Sequence, residues 1–366
     1  MSGGVDSSVA AALLVDAGHE VIGITLNVEQ PGHSPDDRRE GCCSLASIED
    51  ARRVADQIGI PHYSLNFRER FARMVVDDFV AEYERGRTPN PCVRCNQHIK
   101  FDGILDRLAG LDADFVATGH YARVEHGVPA SRSQLLRALD GAKDQSYVLY
   151  PVQQSTLRRV LFPLGNLHKA DVRAIARGRG LRTAEKPESQ EICFVTGGHY
   201  GSFVAEHATA PVRRGPIVTV DGQVVGEHRG LIYYTIGQRR GLGVAGADPR
   251  YVVDLDPTRN AVVIGRRELL DSTGCVVDAV NWVSIERPRE ALRCEVRVRA
   301  HAPLTPATIH VGPTDSVAIE FDEPQRAVAP GQAAVVYQGD RVLGGGTIAR
   351  AMRPWARERA MVTPAS

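Results

Sequence analysis

Two groups of residues in this chain could do chemistry. The first is Ser2-Gly3-Gly4-Val5-Asp6-Ser7-Ser8, directly ahead of the apolar, helix-like residues 9–15. Paired glycines let backbone amides approach an anion, Asp6, Ser7 and Ser8 can cap the helix, and its positive end favours phosphate. A Walker A loop is excluded, because the Gly-Lys-Ser/Thr ending is missing. The plain alternative is a glycine turn with an ordinary helix cap.

The second group is thiols. Thr88-Pro89-Asn90-Pro91-Cys92-Val93-Arg94-Cys95-Asn96 leads into a helix-like segment carrying Lys100. A thiol at a helix N-terminus beside Arg94 and Lys100 ionises more easily than a free cysteine, which makes Cys95 a candidate nucleophile. Cys-x-x-Cys also reads as a redox pair or as half of a zinc site, although no second Cys or His pair stands at a zinc spacing. Cys193 follows in Glu188-Ser189-Gln190-Glu191-Ile192-Cys193-Phe194-Val195, and alone it reads as a small buried hydrophobe. Seven cysteines, odd in number and unevenly spread, favour reactive or metal-bound thiols over a disulfide framework.

Such residues need a scaffold, and 366 residues at roughly 150 per domain imply two or three domains. Apolar (43%) and charged (24%) fractions are those of a globular chain, which excludes disordered, collagenous, coiled-coil and mucin-like classes. No apolar run approaches the ~18 residues of a membrane span, and no Lys or Arg precedes Arg38. A cytoplasmic protein with no membrane partner is expected. With 44 basic and 44 acidic residues, nucleic-acid binding must rest on local patches: Arg177, Arg179 and Arg182, Arg213 and Arg214, Arg239 and Arg240, or Arg297 and Arg299.

Up to about residue 195 helix-like stretches (8–17, 44–58, 69–84, 169–177) alternate with strand-like ones (21–28, 61–65, 115–118), the pattern of a mostly parallel sheet with helices on both faces. Past Gly201 the period falls to two. Residues 217–220 and 223–225 around Asp221-Gly222 predict a hairpin with a type I′ turn. Alternating runs at 294–301, 316–321, 333–337 and 341–348 predict a small β-barrel or sandwich.

The loop Ser2-Gly3-Gly4-Val5-Asp6-Ser7-Ser8 resembles the pyrophosphate loop of the ATP pyrophosphatase (PP-loop) superfamily, whose members split ATP into AMP and pyrophosphate to activate an oxygen. Combined with Asn90–Asn96, Ala117-Thr118-Gly119-His120-Tyr121, Lys143-Asp144-Gln145-Ser146-Tyr147, Ser189–Phe194, Gly215-Pro216-Ile217, Tyr234–Gly241 and Pro330-Gly331-Gln332, it resembles the tRNA-specific 2-thiouridylase (MnmA) family over nearly the whole chain.

That resemblance implies an α/β fold: a Rossmann-like, adenine-nucleotide-hydrolase-like catalytic domain over 1–200, a small tRNA-contacting domain over 201–271, a C-terminal β-barrel over 272–355 and a tail over 356–366. It implies conversion of the wobble uridine of tRNA to 2-thiouridine, with ATP and Mg2+ as cofactors and tRNA and a persulfide sulfur donor as partners. Ser2, Gly3, Gly4, Val5, Asp6, Ser7, Ser8, Leu26 and Gly119 would contact the nucleotide, Asp6 holding Mg2+ through pyrophosphate. Cys95 and Cys193 would be catalytic. Asn90, Pro91 and Cys92 would face the target base, and His120, Lys143, Asp144, Gln145, Arg299, Ala300 and Gln332 would meet the tRNA.

Two departures stand out. Some members carry Asp where this chain has Cys92, and if Cys92, Cys95 and Cys193 converged they could hold a [4Fe–4S] cluster as an alternative sulfur route. The family also places a hydrophobic strand before the loop, so the first parallel strand is expected to be missing ahead of Met1. The rivals are a PP-loop enzyme adenylating a small metabolite and a tRNA-binding protein with a decayed nucleotide site.

Overall fold

The structure, a computed structural model, describes residues 1–28, 45–108, 110–128, 131–187, 192–195, 199–244, 248–312 and 315–356. Cys42, Cys43, Ser44, residues 188–191 and nearly all of the expected tail lie outside them. Contacts divide the chain into two compact units: Met1–Val76, Pro91–Gly198 and Asp340–Leu343 form the first, and Asp77–Asn90, His199–Gly339 and the chain from Gly344 onward form the second.

In the first unit, α1 (Val5–Asp16) starts at Gly4, whose extended backbone (φ −101°, ψ 164°) breaks into the helix. The apolar residues of α1 do not keep to one stripe, because Val5, Val9, Ala10 and Ala12 are all buried. Val5, Val9 and Ala10 share a core with Val54, Leu164, Val172, Ala176 and Leu181. Strand β1 (Gly23–Asn27) crosses over through α2 (Leu45–Ile58) to the parallel β2 (His62–Asn66), with Leu26 opposite Leu65. The Met1 ammonium donates to Ile24 O, and Thr25 Oγ1 donates to Met1 O at 2.8 Å, so the start of the loop is tied to β1.

A long helix, α3, runs as Pro91–Arg94 in α form, Cys95–Phe101 in π form and Asp102–Leu108 in α form. Strand β3 (Val116–Ala117), shorter than the expected 115–118, precedes the hairpin β4 (Ala122–Glu125) and β5 (Gln134–Arg137), and β3 pairs in parallel with β6 (Val160–Leu161). The hairpin takes Arg341 and Val342 as further partners, through Leu136 and Leu135. Helix α4 (Lys169–Gly178) closes the unit behind a His168 and Asp171 capping box. The helix expected over 69–84 is realised in three pieces: Arg68–Phe71, a π stretch Ala72–Val76, and Asp77–Glu84.

In the second unit, β7 (Gly215–Thr219), β8 (Val224–His228), β9 (Tyr251–Asp256) and β10 (Ala261–Gly265) form a four-stranded sheet in the order 8-7-10-9. Its buried Ile217, Val252, Val262 and Ile264 share a core with Leu231, Tyr234 and Ile236. The hairpin is present, but its turn is not type I′. Gly222 alone of the expected pair has a positive φ (+91°), and Gly222 N bonds Thr219 O while Thr219 N bonds Gln223 O, so the loop holds three residues. Strands β11 (Asp271–Asn281), β12 (Leu292–Arg297), β13 (Thr305–Val311), β14 (Val317–Arg326), β15 (Ala333–Gln338) and β16 (Arg341–Met352) follow in the order 11-14-13-12-15-16. Strand β16 pairs back to β11, which closes a six-stranded barrel and settles barrel against sandwich.

Two positions test the packing. Gly331 has φ +91°, and a Cβ there would sit 2.8 Å from Thr88 N. Gly331→Ala should cost about 1–3 kcal/mol through backbone strain and that clash, read as a lower urea midpoint at unchanged m-value. His120 lies between the rings of Phe101 and Phe162, with centroids 6.1 and 6.2 Å away, and burial, helped by the Lys100 charge, holds its imidazole well below the usual 6.5.

A histidine kept neutral in the fold but protonated near its ordinary pKa when unfolded contributes stability that is complete above about pH 6.5 and is lost as pH falls below it. Stability should therefore decline on acidification through that range, and His120→Gln should flatten the decline in urea titrations. A residual slope will remain from His62, whose pKa is lowered by burial, the N-terminal charge and Arg52.

Candidate active site

The loop is shaped by close backbone approach. Gly3 has φ +66°, and a Cβ on it would stand 2.2 Å from Ser47 O; a Cβ on Gly119 would stand 2.7 Å from both Asp6 C and Ser7 N. Residues 2–8 and Gly119 are thus brought together at the first turn of α1. The expected side-chain cap is absent: Gly4 is the N-cap and no side chain caps it. Ser7 Oγ and Ser8 Oγ instead donate back to Gly4 O at 3.2 and 2.8 Å, and Ser2 N donates to Ser7 Oγ at 3.0 Å. The hydroxyls bind the loop to itself. The positive end of α1 is therefore available to an anion rather than covered by a carboxylate cap.

Around this turn stand charged groups that sequence reasoning missed. Lys169 Nζ lies 2.8 Å from both Asp6 carboxylate oxygens, and Tyr121 OH donates to Asp6 Oδ1 at 2.8 Å. Lys186 Nζ donates to Gly3 O at 3.0 Å and to Asp50 Oδ2 at 2.8 Å. Asp140 accepts Lys169 N at 3.0 Å, a bond that holds its carboxyl below the ordinary carboxylate value. Lys169 opens a helix directly after a capping histidine, the one local signal that could have singled it out.

The site has features a nucleotide with Mg2+ would need: a cradle that any Cβ would fill, a helix end, and the part-exposed carboxylate of Asp6. Mg2+ is commonly held by one or two carboxylates plus phosphates. Among the described residues no group of three or more His, Cys, Asp or Glu side chains could hold a metal ion. Cys92, Cys95 and Cys193 are all described and do not form the cluster that a [4Fe–4S] centre requires.

The cysteines divide by access. Cys275 and Cys294 are buried, and burial pushes both thiols up to about 12, which makes them inert packing groups. Cys92 is exposed, and Cys95 and Cys193 are partly exposed. Cys95 is not at a helix N-terminus as expected: α3 begins at Pro91, and Cys95 falls one turn in, where α form gives way to π form. Asn96 beside it is buried and donates to Val148 O at 3.0 Å, while Phe194 meets Phe71 edge-on at 5.6 Å, anchoring the neighbour of Cys193.

The residues expected to meet tRNA fall in both units. In the first, Pro91 is buried and Lys143 is partly exposed. His120 is an internal packing group. The Asp144 side chain is fully covered, accepting Ala138 N at 3.2 Å and Ser146 N at 3.1 Å, so it braces the turn rather than presenting itself to a ligand. Gln145 Oε1 accepts Tyr121 N at 2.9 Å, clipping that turn onto the residue that holds Asp6.

In the second unit, Gln332 Nε2 donates to Thr88 O at 2.7 Å and Thr88 N donates to Pro330 O at 2.8 Å, so the Pro330-Gly331-Gln332 motif grips the segment that ends in Asn90. Arg299 is exposed, with Nη2 donating to Arg326 O at 3.1 Å, and Ala300 follows it half-buried. Arg297, expected as a phosphate contact, is buried with its guanidinium 5.4 Å over the Tyr337 ring. Arg177, Arg179 and Arg214 pair with Glu185, Asp16 and Glu227.

Residues 1–197 match the family described as "tRNA methyl transferase HUP domain", residues 201–266 the "tRNA methyl transferase PRC-barrel domain", and residues 272–348 the "Aminomethyltransferase beta-barrel domain". The tRNA-specific 2-thiouridylase MnmA of Symbiobacterium thermophilum is 50% identical over 356 residues, 96% of this chain and 91% of that protein. The namesake of Carboxydothermus hydrogenoformans is 49% identical over 349 residues, 95% of this chain and 96% of that one. That of Moorella thermoacetica is 50% identical over 349 residues, 95% and 98% of the two chains. A solved NMN synthetase from Francisella tularensis overlays 51% of this chain and 63% of its own at 16% identity and a TM-score of 0.30, too slight a likeness to carry any argument. With about half its residues shared along nearly its whole length, the chain belongs to the tRNA-specific 2-thiouridylase MnmA family.

Proposed function

We propose that this chain thiolates tRNA, replacing the C2 oxygen of the wobble uridine with sulfur at the expense of ATP, with residues 2–8 as its pyrophosphate loop and Cys95 and Cys193 as its working thiols. The observation that carries this reading is the pairing, within the first unit, of a glycine cradle on the α1 N-terminus with two part-exposed cysteines, while Cys275 and Cys294 are sealed in the second. A small-metabolite synthetase has no use for the thiols, and a decayed nucleotide site would not keep Gly3 and Gly119 where no Cβ fits.

A uracil C2 oxygen is a very poor leaving group, and its attack on the α-phosphate of ATP makes it one by attaching AMP and expelling pyrophosphate. Mg2+ held through Asp6 would supply Lewis-acid stabilisation of that pyrophosphate. The chain's own part is the fixed dipole and amides of the α1 first turn, shaped by Gly3, Gly4 and Gly119 with Val5, Ser7 and Ser8, and aimed where negative charge develops. Leu26, half-buried on β1, is the proposed apolar contact for the adenine. Asn90, Pro91 and Cys92 would face the target base, which must leave the anticodon stack to react. Lys143, Gln145, Arg299 and Ala300 are proposed as tRNA contacts, with Asp144, His120 and Gln332 holding the segments that carry the contacts.

A persulfide donor, such as a cysteine desulfurase or a sulfur relay protein, would load Cys193. The terminal sulfur of the Cys193 persulfide attacks C2 and AMP departs with the oxygen. The Cys95 thiolate then attacks Cys193 Sγ, the S–S bond to the base breaks, and its electron pair leaves on the new thiocarbonyl sulfur. A Cys95–Cys193 disulfide remains for a dithiol reductant to reopen. ATP and tRNA as substrates put this activity in the cytoplasm.

Cys95→Ser and Cys193→Ser should each abolish 2-thiouridine formation, read by mass spectrometry of tRNA nucleosides, while leaving tRNA affinity within about threefold, because a hydroxyl replaces a thiol with little change in contact area. Retained thiolation in either variant would remove that residue from the chemistry. Asp6→Ala should lower tRNA-dependent pyrophosphate release by roughly 100-fold or more with both thiols intact; normal release would free Asp6 of any part in adenylation.

A further inference from the structure

The proposed reaction leaves one accessible sulfur with no part in the chemistry. Cys92 stands one helical turn before Cys95, and that turn has a clear inner side: Pro91, Val93 and Asn96 are buried, whereas Cys92 is exposed and Cys95 partly so. Residues three apart on a helix have Cα atoms roughly 5 Å apart, within the span a disulfide bridges. Their Cβ atoms must still close by about 1–2 Å. Pro91–Arg94 has the freedom for this, because the N–H groups of a first turn lack partners within the helix and α form gives way to π form at Cys95.

Cys193 is placed differently. It is partly exposed, and Phe194 beside it is buried against Phe71. A disulfide between Cys95 and Cys193 therefore joins two partly covered sulfurs, neither as open to a protein reductant as Cys92.

We propose that Cys92 is the resolving thiol of this chain, which takes Cys95 over from the Cys95–Cys193 disulfide and presents the oxidised pair at the surface. This rests on the thiolation chemistry proposed above. The Cys92 thiol gives its proton to water and its sulfur attacks Cys95 Sγ; the Cys95–Cys193 bond breaks, and its electron pair leaves on Cys193, which returns as a thiolate. One S–S bond is exchanged for another, so no oxidant is consumed. A dithiol reductant then opens the Cys92–Cys95 bond and becomes a disulfide itself while both thiols reform. Cys193 is thus ready for the next persulfide before the reductant has acted. A thiol one turn away reaches Cys95 intramolecularly, an advantage that a dilute external thiol lacks. The exchange engages one new pair of sulfurs, so it needs no cluster of three ligands.

The test uses the full chain, loaded once with persulfide by a cysteine desulfurase and then freed of it and of its cysteine. After tRNA, ATP and Mg2+ have supported one turnover without reductant, the protein is quenched in acid and alkylated, and peptides and nucleosides are read by mass spectrometry. Most of the oxidised protein should carry a Cys92–Cys95 disulfide, with Cys193 alkylated. In Cys92→Ser the bond should stay between Cys95 and Cys193, and a dithiol protein should reopen it at least ~10-fold more slowly than it reduces the parent. A Cys95–Cys193 bond in the parent with Cys92 alkylated, or equal reopening rates in the two proteins, overturns the proposal. Should the variant fail to fold, the disulfide map of the parent decides alone. 2-Thiouridine made with all three thiols still reduced, or none made at all, would overturn the thiol chemistry itself and the proposal with it.

Discussion

Peptide groups press against the first turn of α1 from two directions, and at neither contact is there room for a Cβ. Gly3 folds back under Ser47 O with a positive φ, and Gly119 lies against the Asp6–Ser7 peptide. This double approach defines a turn walled by main chain, where amides and the helix end supply positive potential without mobile side chains. Preorganisation of that kind is what stabilises charge without reorganisation cost during reaction. The rest of the first unit can be read as its support: β1 holds Met1, α4 delivers Lys169, and the Lys143-Asp144-Gln145 turn clips Tyr121 into position.

Charge follows the same plan. A net charge of zero says nothing of an anion site, and the reason is visible in the pairing. Lys169 and Lys186 each bond a carboxylate at 2.8 Å, so these charges cancel in pairs around the loop. Elsewhere Arg177 and Arg214 pair on exposed surface, where ion pairs contribute about 0–1 kcal/mol and can be given up to a phosphate at little cost. Arg297 cannot, because it is buried over Tyr337.

Local patterns made the loop, the alternation of helix and strand, and the barrel strands legible, since each depends on residues within one or two turns of one another. The side-chain cap was misread because Asp6, Ser7 and Ser8 are good capping types in isolation, whereas Gly4 occupies the cap and the hydroxyls turn back onto its carbonyl. The type I′ turn failed on a count of one residue, which sequence periodicity does not resolve. Lys169 and Lys186 could not be found this way: they reach Asp6 and Gly3 from 163 and 183 positions away. Asp144 and His120 sat in strong motifs, but whether a motif residue faces a ligand or the interior is decided by packing, and Phe101 and Phe162 are themselves distant in sequence from the motif they enclose.

The placement of Cys95 shows how the fold trades local stability for access. A π turn holds one residue more than an α turn, so a helix that changes form at Cys95 rotates the residues after it relative to those before. One consequence is that Asn96 points inward. Its Nδ2 reaches Val148 O, but among the described residues its buried Oδ1 has no hydrogen-bond partner. An unpaired buried acceptor costs about 1–3 kcal/mol, and the poorer hydrogen-bond geometry of the π segment adds to that. Neither cost would persist in a helix that served packing alone, since a leucine at position 96 and a regular α register would remove both. The strain lies immediately beside the proposed nucleophile, where local rules of stability are most often broken in favour of a required geometry. The helix thus changes form at a partly exposed Cys95, next to a buried Asn96, so that thiol and amide face different surroundings.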